Sequence, residues 1–242
     1  MVQVGFKSDR GLKRKNNEDS CFVIPEDKIY IVADGVGGNN SGEVASRSAV
    51  SFVADYIKKN PVKLAKGREE IKNYFIKCID EANSLICSLS RDNAENQGMA
   101  TTLVLAYVIR RKAYIVNIGD SRAYLMRNGN LIQITEDHTY VNTLIKSGAL
   151  TEDAARNHSK RHIITRALGG EDAVEPDIFE VKLMKDDILL LCTDGLHGEV
   201  EDSKICEILA SGQQMSELCN QLITRANRSG GNDNITVVCV KM

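Results

Sequence analysis

The chain has no excess of either charge. It carries 31 Lys and Arg against 33 Asp and Glu, a net charge of -2. It therefore lacks the basic field and polybasic tail that would attract nucleic acid. Long apolar runs are missing too. The longest stretches, such as Ile188–Cys192, fall far short of the roughly 18 residues that cross a bilayer, so no membrane partner is expected. Met1–Lys15 lacks the apolar core of a secretory signal, which leads to the expectation of a cytoplasmic protein. No CxxC pair occurs. The 7 cysteines, at 21, 78, 87, 192, 206, 219 and 239, are odd in number and scattered. They read as buried free thiols in a reducing compartment. Tryptophan is absent and proline is scarce, at 3 residues, while 43% hydrophobic and 26% charged residues exclude a disordered or low-complexity chain.

Several catalytic signatures are also missing. The histidines at 138, 158, 162 and 197 form no HExxH, and there is no GxSxG elbow. Gly37–Gly42 has the spacing of a P-loop opening, but Glu43 and Val44 stand where Lys and Ser or Thr are needed. Asp34-Gly35-Val36 lacks the second aspartate of a DxD phosphatase nucleophile. A covalent mechanism has no nucleophile here.

What is present reads as one α+β domain over residues 1–242. Lys28–Ala33 is β-branched and nearly all apolar, which predicts a central strand buried on both faces. Helices are expected over Glu43–Lys59 and Arg68–Leu89, where apolar residues recur at helical spacing. Strands follow without helices between them: Thr101–Ile109, Lys112–Asn117, Arg122–Arg127 and Leu131–Ile134. Their short links predict antiparallel pairing, and Asn128-Gly129 carries a hairpin signal. Asp137–Ala155 reads as a helix broken at Gly148, with Asp137 a possible N-cap. Strands at Phe179–Leu183 and Asp187–Thr193, helices at Ser203–Leu209 and Met215–Arg228, and a strand at Asn234–Val240 complete the reading. Strands grouped with strands indicate antiparallel sheet covered by helices.

The informative pattern is acidic. Asp34, Asp120 and Asp194 each follow an apolar strand and adjoin a glycine. Asp233 and the Glu18-Asp19 pair each precede a strand. One Asp-Gly after a strand is ordinarily a turn. Five such sites on different strands can converge on one sheet edge. Carboxylates gathered there repel unless cations neutralise them. Oxygen donors without a His or Cys cluster favour Mg²⁺ or Mn²⁺ over zinc. Arg14 suits a bidentate phosphate clamp, although it could equally be a solvated member of Lys13-Arg14-Lys15.

Taken together, RGLKRKNNED (10–19), VADGVGGNNSGEVAS (32–46), GMATTLV (98–104), NIGDSRAYL (117–125), ITEDHT (134–139), RHIITRALG (161–169), LLLCTDGL (189–196) and GGNDNITVV (230–238) resemble the metal-dependent Ser/Thr protein phosphatases of type 2C in their compact bacterial form. The likeness runs nearly end to end. It implies an α-β-β-α sandwich of two central antiparallel sheets flanked by helices. It implies hydrolysis of phosphoserine and phosphothreonine in proteins by a metal-activated water, without a phosphoenzyme. By the same resemblance Asp34 bridges two Mn²⁺ or Mg²⁺ ions, the Gly35 carbonyl ligates one, and Asp194 and Asp233 complete a shell. Asp19 acts through water, and Asp120 with Asp194 holds a third ion. Arg14 binds the substrate phosphate, and a flap spans about 141–169. The implied partners are phosphorylated proteins and a Ser/Thr kinase that the monomeric enzyme opposes.

Three departures stand out. Val36 occupies the place of a histidine proposed as general acid in many eukaryotic members, and it cannot donate a proton. His162 is an alternative donor, or else a flap-packing side chain. Ala100 replaces a common glycine and Asn39 a frequent histidine. Two rival readings are a binding module without activity, which predicts missing metal carboxylates, and a hydrolase of another phosphoester.

Overall fold

The computed structural model describes residues 2–38, 41–62, 67–156 and 158–242; Asn39 lies outside them. Along the described residues the strands are β1 (Gln3–Asp9), β2 (Asp19–Ile24), β3 (Ile29–Val36), β4 (Ala100–Thr101), β5 (Leu103–Ile109), β6 (Lys112–Ile118), β7 (Arg122–Arg127), β8 (Asn130–Gln133), β9 (Asp177–Lys182), β10 (Ile188–Cys192) and β11 (Ile235–Lys241). The helices are α1 (Ser41–Lys59), α2 (Arg68–Asp92), α3 (Tyr140–Lys146), α4 (Glu152–Arg156), α5 (Asp194–His197), α6 (Asp202–Leu209) and α7 (Met215–Ser229).

The strands form two antiparallel sheets, ordered β1-β11-β10-β7-β8 and β2-β3-β5-β6-β9, with β4 added beside β3. Side chains alternate along each central strand, and both faces are buried. On β3, Ile29, Ile31 and Ala33 pack under α1 and α2, while Tyr30 and Val32 face the other sheet. On β10, Ile188, Leu190 and Cys192 pack under α6 and α7, while Leu189 and Leu191 turn inward. Each fully buried large side chain contributes about 1.5–3 kcal/mol. The result is the expected α-β-β-α stack, with one apolar layer between the sheets and one beneath each helical layer.

Three local expectations are corrected. The link from β6 to β7 is short, yet these strands do not pair: Gly119-Asp120-Ser121 carries the chain from one sheet to the other. Thr139, not Asp137, caps α3, its hydroxyl accepting from Asn142 N at 3.3 Å. Asp137 is instead gripped by Arg122, with Nε and Nη2 contacts of 2.8 and 2.7 Å. The single-turn helix α5, begun by Asp194, carried no readable period in the sequence. The hairpin at Asn128-Gly129 forms as read, with φ of 50° and 79°. Among the described residues no helix is long and apolar enough to cross a membrane, and all the cysteines are free, five of them buried as expected while Cys21 and Cys206 are only partly buried.

Candidate metal centre

The alternation that buries Tyr30 and Val32 between the sheets also sets the direction of Asp34, next on the same face of β3. Cys21 and Val23 of β2 pack against the same inter-sheet layer, which puts Asp19 on that face as well. The β2–β3 register pairs Asp19 directly with Asp34. Thr102 fixes Asp34 from the far side: its hydroxyl accepts from Asp34 N at 2.9 Å, and its own N–H donates to Asp34 O at 2.9 Å. Gly35 is required for space. A Cβ there would lie 1.9 Å from Gly42 O, at the start of α1.

The other sheet supplies Asp194 at the N-terminus of α5, one residue beyond Thr193. Thr193 donates through Oγ1 to Asp19 Oδ2 at 2.9 Å and accepts from Thr236 N at 3.0 Å, so it ties the two sheets together at this edge. Asn234 holds the 10–18 loop against β11. Its Oδ1 accepts from Glu18 N at 2.8 Å, and its Nδ2 donates to Arg10 O at 2.8 Å and Asn16 O at 2.9 Å. That loop delivers Arg14, whose Nη2 donates to Asp233 Oδ2 at 2.6 Å. Arg14 thus lies at the acidic edge, engaged with Asp233, rather than among solvated lysines.

Asp120 sits where the chain crosses between sheets. Gly119 has φ +97°, and its N–H donates to His138 Nδ1 at 3.1 Å. The other ring nitrogen of His138 pairs with Asp177 Oδ2 at 3.0 Å. Asp120 O in turn meets His197 Nε2 at 3.0 Å. Burial, reinforced by Arg122, pushes His197 down to about 3, so it is neutral. A cavity of about 880 Å³ opens here, and Asp120, Asp194, His197 and the exposed His162 share it.

The electrostatics follow from this crowding. Burial raises the proton affinity of Asp34 first, and Asp19, Asp194, Asp120 and Asp233 raise it further. Burial likewise raises Asp19, against the lowering effect of hydrogen bonds from Thr236 and Thr193. Asp120 is raised by burial and then by Asp194. Asp194 is raised by burial and then by Asp233, while a hydrogen bond with Asp34 works in the opposite sense. Asp19 Oδ1 and Asp194 Oδ1 are buried without a hydrogen-bond partner. An all-oxygen set that raises its own proton affinity is what hard divalent cations displace protons from. As the side chains stand, no three His, Cys, Asp or Glu among the described residues form a closed chelate. Arg14 engages Asp233, and Asp34 shares a hydrogen bond with Asp194. The residues fit a divalent centre by chemistry and orphaned oxygens.

All the sequence-predicted acids therefore meet at one edge, with Gly35 beside Asp34 and His162 at the cavity mouth. Val36 is exposed at the end of β3. Sequence reasoning missed Thr102, Thr193 and Asn234. The latter two lie beside Asp194 and Asp233, but nothing in their spacing reveals what they hold.

Residues 12–236 match the family described as Protein phosphatase 2C. The chain is 43% identical over 240 residues to the serine/threonine phosphatase Stp of Listeria monocytogenes, covering 98% of this chain and 94% of that protein. The crystal structure of the catalytic domain of PstP, a serine/threonine protein phosphatase, in complex with 2 manganese ions is 36% identical, with a TM-score of 0.87 over 99% of this chain and 97% of that one. The serine/threonine phosphatase Stp1 of Staphylococcus aureus superposes with a TM-score of 0.92 at 32% identity, over 100% of this chain and 95% of that one.

Proposed function

Because the chain belongs to the protein phosphatase 2C family and is a metal-dependent protein-serine/threonine phosphatase, we propose that its acidic edge is a dinuclear Mn²⁺ or Mg²⁺ centre that hydrolyses phosphoserine and phosphothreonine and so opposes a Ser/Thr kinase. The observation that carries the reading is the convergence of buried carboxylates from the two sheets: Asp19 and Asp34 are cross-strand partners, Thr193 next to Asp194 bonds Asp19, and Asp19 Oδ1 and Asp194 Oδ1 have no hydrogen-bond partner.

In this reading Asp34, the Gly35 carbonyl, Asp194 and Asp233 hold the two core ions, and Asp19 supports them. Asp120 and Asp194 hold a third. When bound, the ions would lower the pKa of water toward neutrality and neutralise charge on the phosphoryl group. The chain's own residues do the rest. Thr102 and Thr193 keep Asp34 and Asp19 in place. Arg14 leaves Asp233 for the substrate and presents its planar fork to two phosphoryl oxygens, stabilising charge as it builds up. His162, exposed at the mouth of the cavity shared with Asp194, protonates the departing serine or threonine oxygen. The segment 141–169 acts as the flap that frames the substrate.

The test is phosphate release from a phosphothreonine peptide with Mn²⁺, with EDTA, and in Asp34→Asn, beside a panel of nucleotides. Release that needs Mn²⁺ and Asp34 and favours the peptide is expected. Folded protein that is inactive with every divalent ion, or that prefers nucleotides, overturns the reading.

A further inference from the structure

The apolar layer between the sheets has two ends. One is the acidic edge. The other opens into a cavity of about 580 Å³, well inside the range of small-molecule sites. Tyr30, on the floor of this layer, and Asp34 lie four residues apart on β3, which places the two ends roughly 13 Å apart along the strand.

The cavity combines two chemistries. Its walls are aliphatic, with Val2, Val4, Val108, Leu183, Met184 and Met242 contributing. Its rim is basic, formed by Lys28, Arg110, Arg111 and Lys185. No ion pair engages these four among the described residues. Of the acids beside Lys185, Asp187 pairs with Arg127 at 2.6 Å and Asp186 with Lys241 at 3.4 Å. Tyr30 also lines the cavity. It is fully buried, and its hydroxyl has no hydrogen-bond partner.

Backbone conformation singles out the same place. Lys28, Arg110 and Arg111 all have positive φ, of 54°, 46° and 61°. Arg110-Arg111 is the two-residue turn between Ile109 and Lys112, which are paired across β5 and β6. Such a turn with both φ positive favours Asn-Gly, and the chain uses Asn128-Gly129 for the same purpose between β7 and β8. Two arginines in that conformation oppose local preference. Conflicts of this kind persist where the side chains serve a purpose.

We propose that this cavity binds a small amphipathic carboxylate, its aliphatic chain against the inter-sheet walls and its head group drawing on the basic rim. The site is separate from the acidic edge and does not rest on the phosphatase reading. The paired character of the cavity selects the ligand: the walls need an apolar chain, and four cations without acidic partners need an anion.

The experiment is isothermal titration of the whole chain with sodium decanoate below its micellar concentration. Saturable one-to-one binding is expected, with butyrate and decyltrimethylammonium each at least tenfold weaker. Arg110→Asn combined with Arg111→Gly gives the turn its preferred residues, so its melting temperature should hold or rise while decanoate affinity falls at least tenfold. Lys28→Gly, also suited to positive φ, should weaken binding in the same way. Hydrolysis of a phosphothreonine peptide without decanoate checks that both variants are intact. Absence of binding overturns the proposal. So does equal affinity for decyltrimethylammonium, or undiminished affinity in both variants. Binding to phosphatidylglycerol vesicles without binding to monomeric decanoate also overturns it, in favour of a membrane contact.

Discussion

Asp19 and Asp34 are direct cross-strand partners in the β2–β3 ladder, both on the inter-sheet face. Like charges directly opposite each other destabilise a sheet. A fold that places two buried acids in this position raises their affinity for protons, and for cations in their stead.

Replacing Asp34 by Asn should therefore separate stability from activity. Peptide hydrolysis with Mn²⁺ is expected to fall by more than the roughly 100-fold that loss of an outer-shell partner costs. In EDTA the melting temperature should be no lower than that of the wild type, because the repulsion with Asp19 is gone. Calorimetry and a phosphate-release assay on one preparation check both. Wild-type turnover in the pure variant would remove Asp34 from the centre.

Asn234 should prove as important as the acids it adjoins. Its loss frees Glu18 N, Arg10 O and Asn16 O together, at about 1 kcal/mol per bond. Asn234→Ala is expected to lose roughly 2–3 kcal/mol in urea unfolding and to lower kcat by releasing the loop that carries Arg14. Asn234→Asp should do no better, because a carboxylate faces two carbonyls. Wild-type stability in Asn234→Asp would show that the two carbonyl contacts contribute nothing.

The Arg122–Asp137 pair is mostly buried, with side-chain exposures of 21% and 16%. Removing one partner leaves the other charge uncompensated, and Arg122→Ala should cost about 3 kcal/mol. Lys146 pairs with Glu136 in the open, at 58% and 52% exposure. Lys146→Ala should cost under ~1 kcal/mol. Parallel denaturant titrations compare them, and equal costs would contradict the burial argument.

His138 should contribute to the pH dependence of stability with a defined sign. Burial lowers the pKa of His138 below its ordinary 6.5, against the raising effect of its bond to Asp177. Its Nδ1 accepts from Gly119 N–H, so the proton resides on Nε2 and is donated to Asp177. The unfolded chain then binds more protons than the folded one below about 6.5. The contribution of His138 is complete above that pH and declines as pH falls, whereas the buried acids Asp19, Asp34 and Asp120, whose proton affinities are raised, act in the opposite sense. For Asp177, the hydrogen bonds from His138 and Arg166 outweigh burial and hold its pKa below the ordinary 3.8, so its contribution is lost only further down. The gap, the melting temperature at pH 8 minus that at pH 5.5, should shift downward in His138→Gln, because a contribution that favours the higher pH is removed. His197, also held neutral by burial, accounts for a remainder. An unchanged gap in His138→Gln would exclude His138 as a contributor.

Much of this protein is readable along the chain. The β-branched run at Ile29–Ala33 dictates a doubly buried strand, and apolar spacing dictates α1, α2 and α7, because side-chain periodicity is a local property of backbone geometry. Aspartates at strand ends are equally local, so Asp19, Asp34, Asp120, Asp194 and Asp233 could be named from sequence. Their convergence on one sheet edge was an expectation too, but the route that achieves it was not legible. It depends on Gly119-Asp120-Ser121 crossing between sheets instead of turning back as a hairpin, which a short polar link does not announce.

The supporting groups were hidden for the same reason. Thr193 bonds a residue 174 positions away and Asn234 one 216 positions away. The basic rim at the far end is likewise assembled from turns distant in sequence, where Arg110-Arg111 adopts a conformation its residue types disfavour. The sequence by itself determined the strands, the helices and the acids they carry, because each follows from neighbours a few residues apart. Only the tertiary structure decided which oxygens face one another, which are left unpaired, and where charge gathers at each end of the inter-sheet layer, because burial and electrostatic coupling are set by distance in space.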